Sequence, residues 1–170
     1  EKDMDCFNPV NVSKVMSGDR DGFPPCTPQA VIEILDYYGI EIQGKRTVVI
    51  GRSMVVGRPL AMMLLKRNAT VTICHTRTKD LAGETKRAEI LIAAAGKARM
   101  VTKDMVGEGA VVIDVGINFD ENGKLCGDVD FDSVSQIAGQ ITPVPGGVGS
   151  VTSTVLAKHV IEAFKLQEGL

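Results

Sequence analysis

The sequence predicts an α/β fold: a doubly wound, mostly parallel, Rossmann-like sheet. Three observations predict it. Residues 47–50, 70–74, 89–94 and 110–115 are continuous apolar runs of strand length, the pattern of parallel strands buried on both faces. Stretches with helical spacing alternate with them, as helices covering such a sheet require. A glycine-rich turn, Gly51 to Pro59, follows the first run directly and opens a helix, where such sheets bind dinucleotides.

Taken in order, residues 1–26 read as irregular, broken by Asn8-Pro9 and Phe23-Pro24-Pro25. Thr27-Pro28 predicts a helix start, with Thr as N-cap and Pro first in the helix, where its missing N–H costs nothing. Val31, Ile32, Ile34, Leu35 and Tyr38 follow at helical spacing, and Gly39 predicts the stop. Thr47 to Ile50 is the first strand, Pro59 to Lys66 a helix, Thr70 to Cys74 the second strand. The runs 89–94 and 110–115 follow, with a short helix at Thr102 to Val106 between them. Ile141-Thr142-Pro143-Val144-Pro145 predicts a last strand breaking into a glycine loop, and Thr152 to Leu166 a terminal helix.

Length fits one domain, or one domain with terminal appendages, around a single core, and the composition is that of an ordinary globular chain. A net charge of −2 with scattered basic residues gives no footprint for nucleic acid or an anionic membrane. No apolar run approaches the roughly 20 residues of a bilayer span. Glu1 to Asp5 is too charged for a signal peptide; lacking an initiator Met, it reads as mid-chain and suggests a fragment. The four cysteines, Cys6, Cys26, Cys74 and Cys126, include no C-x-x-C pair, which argues against a zinc site or redox dithiol. Reduced thiols in the cytoplasm are the simplest account, Cys74 being read as buried.

The turn Gly51-Arg52-Ser53-Met54-Val55-Val56-Gly57-Arg58-Pro59 carries the chemistry. Glycine lets the backbone approach a pyrophosphate, and helix N-terminal amides supply donors. Ser53 replaces the second glycine of G-x-G-x-x-G and can itself donate to phosphate; Arg52 and Arg58 add positive charge. Alone, this is as consistent with a plain strand-to-helix turn. The second strand ends at His75-Thr76-Arg77-Thr78 without the acid that usually holds an NAD ribose. A hydroxyl and a guanidinium suit a 2′-phosphate, so NADP is favoured and NAD is the alternative; a solvated basic loop is the competing explanation. His75 reads as a packing or hydrogen-bonding residue of this pocket. His159 reads as a surface or interface residue of the last helix. Neither histidine sits in a nucleophilic triad.

Several segments in succession carry a resemblance: Lys2-Asp3-Met4-Asp5, Pro25-Cys26-Thr27-Pro28, Gly51-Arg52-Ser53 with Val56-Gly57-x-Pro59, Val112 to Asn118, Gly127-Asp128-Val129, and above all Ile141-Thr142-Pro143-Val144-Pro145-Gly146-Gly147-Val148-Gly149. Together they resemble the bifunctional methylenetetrahydrofolate dehydrogenase/methenyltetrahydrofolate cyclohydrolase family over essentially the whole chain. The resemblance implies NADP-dependent oxidation of 5,10-methylenetetrahydrofolate and hydrolysis of the methenyl product to 10-formyltetrahydrofolate. It implies cofactor contacts at Gly51, Arg52, Ser53, His75, Thr76, Arg77, Gly96, Gly116 and Ile117. Asp5 and the Pro145-Gly146-Gly147 turn would face the folate, although Asp5 also reads as a helix cap.

The resemblance further implies that residues 1–170 form the NAD(P)-binding domain, with 1–26 a substrate-side segment and 151–170 a terminal helix. The family's catalytic lysine lies in a Tyr-x-x-x-Lys arrangement of an N-terminal domain. Tyr37 and Tyr38 have no Lys four residues on, so no catalytic residue is expected in this chain. The expected partners are a folate in the cleft with that domain and a second subunit in a homodimer; a catalytically inactive dinucleotide-binding module is the alternative. The sequence departs from the family pattern at Cys6, Asn8, Ser13, Phe119 and Ser150-Val151. Cys6 stands where glycine is usual, so a positive φ there would be strained; Ser150 is expected to cap the terminal helix.

Overall fold

The structure, a computed structural model, describes residues 3–19 and 22–169. Lys2, the first residue of the Lys2–Asp5 segment, and both ends of the predicted 1–170 domain lie outside the described residues. The elements are α1 (Pro9–Ser17), α2 (Cys26–Tyr37), β1 (Arg46–Ile50), α3 (Gly57–Lys66), β2 (Thr70–Cys74), α4 (Leu81–Lys86), β3 (Ile90–Ala93), a 3₁₀ turn (Lys103–Met105), β4 (Val111–Asp114), β5 (Asn118–Phe119), β6 (Leu125–Cys126), α5 (Phe131–Val134), β7 (Gln140–Ile141) and α6 (Val148–Glu168).

The main sheet has five strands in the order β2-β1-β3-β4-β7, all parallel; β5 and β6 form a separate antiparallel pair. Side-chain alternation divides the core. Val49, Ile90, Ile92 and Ile113 face α2, α3 and α6. Val48, Ile50, Leu91, Ala93 and Val112 face the other way, toward Met105, Val106, Val129 and Val134. Both faces are therefore covered, as the continuous apolar runs require. The order reverses between β1 and β3, the switch point at whose strand ends such sheets bind ligands.

Several expectations need correction. Residues 1–26 are not irregular throughout: Asn8 caps α1, its side chain accepting from the Val10 amide, and Pro9 opens the helix. Thr27 is not the cap of α2, which begins at Cys26 after Pro25. The missing cap comes from a distance, because Asp5 Oδ1 accepts the Cys26 amide at 2.7 Å. The terminal helix starts at Val148 rather than near 151, so Ser150 lies inside its first turn and caps nothing; Gly147 holds the cap position without a side-chain bond.

His159 is not at the surface. It is buried with Val155 and Ala163 along one face of α6, and its Nδ1 lies 2.9 Å from the Met4 carbonyl oxygen. Cys6 adopts φ of 61°, so the position does take the left-handed conformation that strains a residue other than glycine. No helix among the described residues is long and apolar enough to cross a membrane.

A candidate dinucleotide site at the strand ends

The turn after β1 is built around two glycines and a serine. Gly51 has φ of 128°, and a Cβ there would run into the Ala94 carbonyl oxygen; a Cβ on Gly57 would run into the Gly51 carbonyl. The first glycine frees the backbone to turn, and the second lets α3 close down on the turn. Ser53 Oγ accepts from the Val56 amide at 3.0 Å and the Gly57 amide at 3.4 Å. The Arg58 amide donates to the Ser53 carbonyl at 3.0 Å, and Pro59 has no N–H.

This changes the expected chemistry. The first-turn amides of α3 are spent on Ser53, not left for a ligand. The Ser53 oxygen already accepts twice, so its own proton is the group directed outward. Arg52 and Arg58 are exposed beside it. Arg58 Nη1 rests on Met54 Sδ at 3.2 Å, and among the described residues no ion pair engages Arg52, Arg58 or Arg77. A hydroxyl donor and unpaired guanidiniums fit a diphosphate.

At the end of β2, residues 75–78 form a turn closed by the Thr78 amide donating to the His75 carbonyl at 2.9 Å. Thr78 Oγ1 accepts from the His75 amide at 3.0 Å, and His75 Nδ1 accepts from the Arg77 amide at 3.1 Å. His75 thus shapes the turn through an unprotonated Nδ1. Thr76 and Arg77 stand exposed at its tip.

Beyond β3 and β4 the loops carry Gly96, Gly116 and Ile117. Gly96 has φ of 66° and open space where a Cβ would stand. Gly116 is buried, and Ile117 is exposed. A cavity of about 200 Å³ brings Gly116 and Ile117 together with Pro145, Gly146, Gly147 and the start of α6. Asp5 is not among its walls. It lines a separate cavity of about 430 Å³ with Cys6, Phe7, Met54 and Val55, so it borders the glycine-rich turn while the Pro145–Gly147 loop borders the post-β4 loop. A larger cavity, about 610 Å³, lies along β7 between α2 and α6 and shares Pro143, Gly146 and Gly147 with the site.

Two buried carboxylates escaped the sequence reading as site elements. Asp128 accepts from the amides of Ala95, Gly96 and Lys97, and Asp114 from those of Gly116, Asp128 and Val129. Desolvation raises the Asp114 carboxyl above its ordinary value, against the three amides that lower it. The signal was present in the sequence: each acid stands close to a glycine, in Asp114-Val115-Gly116 and Gly127-Asp128.

The model of the tetrahydrofolate dehydrogenase/cyclohydrolase NAD(P)-binding domain matches residues 25–168. The chain belongs to this family. Its matched region is the NAD(P)-binding domain of the tetrahydrofolate dehydrogenase/cyclohydrolases, and its sheet is Rossmann-like. The Bifunctional protein FolD of Alkaliphilus oremlandii is 60% identical over 170 residues, covering 100% of this chain and 60% of that protein. The bifunctional FolD dehydrogenase/cyclohydrolase structure from Campylobacter jejuni aligns with a TM-score of 0.96 and 48% identity, over 98% of this chain and 59% of that one. A Trypanosoma brucei FolD structure, complexed with NADP cofactor and inhibitor, aligns with a TM-score of 0.91 and 42% identity, over 98% and 59%. The chain therefore spans about 60% of the length of these family members.

Proposed function

We propose that this chain supplies the cofactor-binding half of an NADP-dependent 5,10-methylenetetrahydrofolate dehydrogenase that also hydrolyses 5,10-methenyltetrahydrofolate to 10-formyltetrahydrofolate. The observation that carries the reading is the Ser53 turn, where two amides occupy the hydroxyl oxygen and leave its proton free beside two unpaired arginines. Family membership supports the substrate. In this reading Gly51, Arg52 and Ser53 hold the pyrophosphate and ribose, and His75, Thr76 and Arg77 form the adenosine side. Gly96, Gly116 and Ile117 border the nicotinamide, and Asp5 with Pro145, Gly146 and Gly147 faces the folate. The bound nicotinamide supplies the hydride acceptor.

What the chain's own residues contribute is orientation. The glycine-rich turn fixes the diphosphate, the exposed Arg77 offers a fork to a 2′-phosphate, and the loops after β3 and β4 form a wall next to the Pro145–Gly147 turn. Asp5 Oδ1 accepts the α2 amide, and in this reading its carboxylate also accepts from a pterin N–H. In this reading the proton-transferring lysine and the rest of the folate cleft come from a domain outside this chain. The same reading makes the enzyme a cytoplasmic homodimer, in keeping with four free thiols.

Titration of the protein with NADP and NAD, repeated for Arg77→Ala, tests the assignment. The expected result is tighter binding of NADP, with the preference reduced about tenfold or more in the variant, the scale of one charge-assisted phosphate contact. An unchanged preference would remove Arg77 from the 2′-phosphate site. Folate-dependent reduction of NADP by the intact protein tests the reaction itself.

A further inference from the structure

Asp128 is fully buried, at 0% exposure, and among the described residues no cation forms an ion pair with it. Its charge is met by aligned dipoles instead. Oδ2 accepts from the amides of Ala95 at 2.6 Å and Gly96 at 3.0 Å; Oδ1 accepts from the Lys97 amide at 2.8 Å and Asn118 Nδ2 at 2.9 Å. Consecutive amides turned toward one point form an anion-binding nest. Here the chain fills the nest with its own carboxylate.

The Asp128 amide in turn donates to Asp114 Oδ1 at 3.0 Å, and Asp114 also accepts from Gly116 at 2.9 Å and Val129 at 2.9 Å. The loops after β3 and β4 thus hang on two linked carboxylates. The packing is close enough to demand glycine on both sides: a Cβ on Gly116 would collide with Asp128, and one on Gly127 with Asp114. By contrast, among the described residues no hydrogen bond ties the turn after β2 or the Ser53 turn to this brace.

We infer that Asp128 is a positioning residue for the nicotinamide-side half of the site, fixing the loops that carry Gly96, Gly116 and Ile117 without touching the cofactor. The inference rests on the reading above, in which the dinucleotide crosses the β1/β3 switch point with its adenosine half on the β2 side. A ligand confined to the β2 side is therefore indifferent to the brace, and one that reaches past β3 depends on it.

The test is Asp128→Asn in the intact protein. One oxygen becomes an amine that faces amide donors, so the loops lose their fixed geometry while side-chain volume is kept. Binding of NADP and of 2′,5′-ADP, which carries the 2′-phosphate half and no nicotinamide, is measured calorimetrically beside thermal melting. The expected result is about tenfold or greater weakening for NADP, as an unmatched buried hydrogen bond produces, and less than about twofold for 2′,5′-ADP on the same scale. Equal weakening of both ligands, or no change in either, overturns the inference.

Asn118→Ala removes one Asp128 partner from a half-buried position and carries the same test should the first variant not fold. It should weaken NADP by a smaller factor, about two- to fivefold, and spare 2′,5′-ADP; no selective loss of NADP overturns the inference. A parent protein that binds neither ligand overturns the underlying site reading, an outcome separate from either variant result.

Discussion

His159 Nδ1 donates to the carbonyl oxygen of Met4 across 2.9 Å, joining α6 to a residue 155 positions away. A carbonyl only accepts, so the contact fixes the proton on Nδ1. The Cys26 thiol adds a weaker bond to the same oxygen at 3.4 Å, and the Phe23 ring lies 5.3 Å from the imidazole. His159→Leu should destabilise the chain by about 1–3 kcal/mol by leaving a half-buried carbonyl short of its main donor. Urea unfolding should show a lower midpoint at unchanged slope.

The glycines next to the buried acids should not tolerate a methyl group. Gly127→Ala and Gly116→Ala should each cost on the order of 3 kcal/mol or abolish folding, as overpacking of an immobile core does. Gly149 lies in the first turn of α6 with nothing within 4 Å of its would-be Cβ. Gly149→Ala should be neutral or stabilising by up to about 1 kcal/mol. Thermal melting of the three variants distinguishes these outcomes.

Acid should weaken the α2–α6 contact. Glu33 Oε1 accepts from Gln29 at 3.0 Å and from Lys158 at 3.1 Å. The Gln29 bond, followed by Lys158, holds the carboxyl below its ordinary 4.5 against some desolvation. A depressed folded value means that this contribution is complete above 4.5 and disappears as pH falls through the folded value. Glu33→Gln should flatten that part of the acid limb of stability. At pH 7 it should cost within about 1 kcal/mol, because the pair is partly solvated. Denaturant midpoints from pH 2 to 7 measure both effects.

Cysteine reactivity should be low in the native state. Burial, with help from Asp3 and Asp5, raises Cys6 to about 11; burial and Asp5 raise Cys26 to about 12. All four cysteines are free and buried. From an ordinary 9.0, the Cys6 shift alone lowers the thiolate fraction about 100-fold. A colorimetric thiol reagent at pH 8 should react slowly with native protein and promptly with four thiols after unfolding. Fast reaction of any native thiol would falsify the burial on which this rests.

The central strands were legible because their apolar runs are a local property: 70–74 matches β2, and the runs 47–50, 89–94 and 110–115 match β1, β3 and β4 to within a residue at each end. Caps that come from far away were legible only in part: Asp5 reads as a helix cap, but not as the cap of α2. Asn8-Pro9 carried the same cap-and-proline pattern that was credited to Thr27-Pro28, yet it opens α1, whereas α2 takes its cap from Asp5. His159 was misplaced because its partner is remote, although Val155, His159 and Ala163 at four-residue spacing trace a buried face. The glycine-rich turn was located correctly, but the use of its amides by Ser53 depends on rotamer and distance. Neither is written in a motif.

β7 is only two residues long, paired to β4 through Gln140 and Ile141, and Pro143 and Pro145 follow at once. Prolines offer no amide to a neighbouring strand, and two residues make a poor template. That margin of the sheet is consequently closed to growth: a stray extended peptide, or a misfolded sister chain, finds almost no hydrogen-bonding rail there to extend.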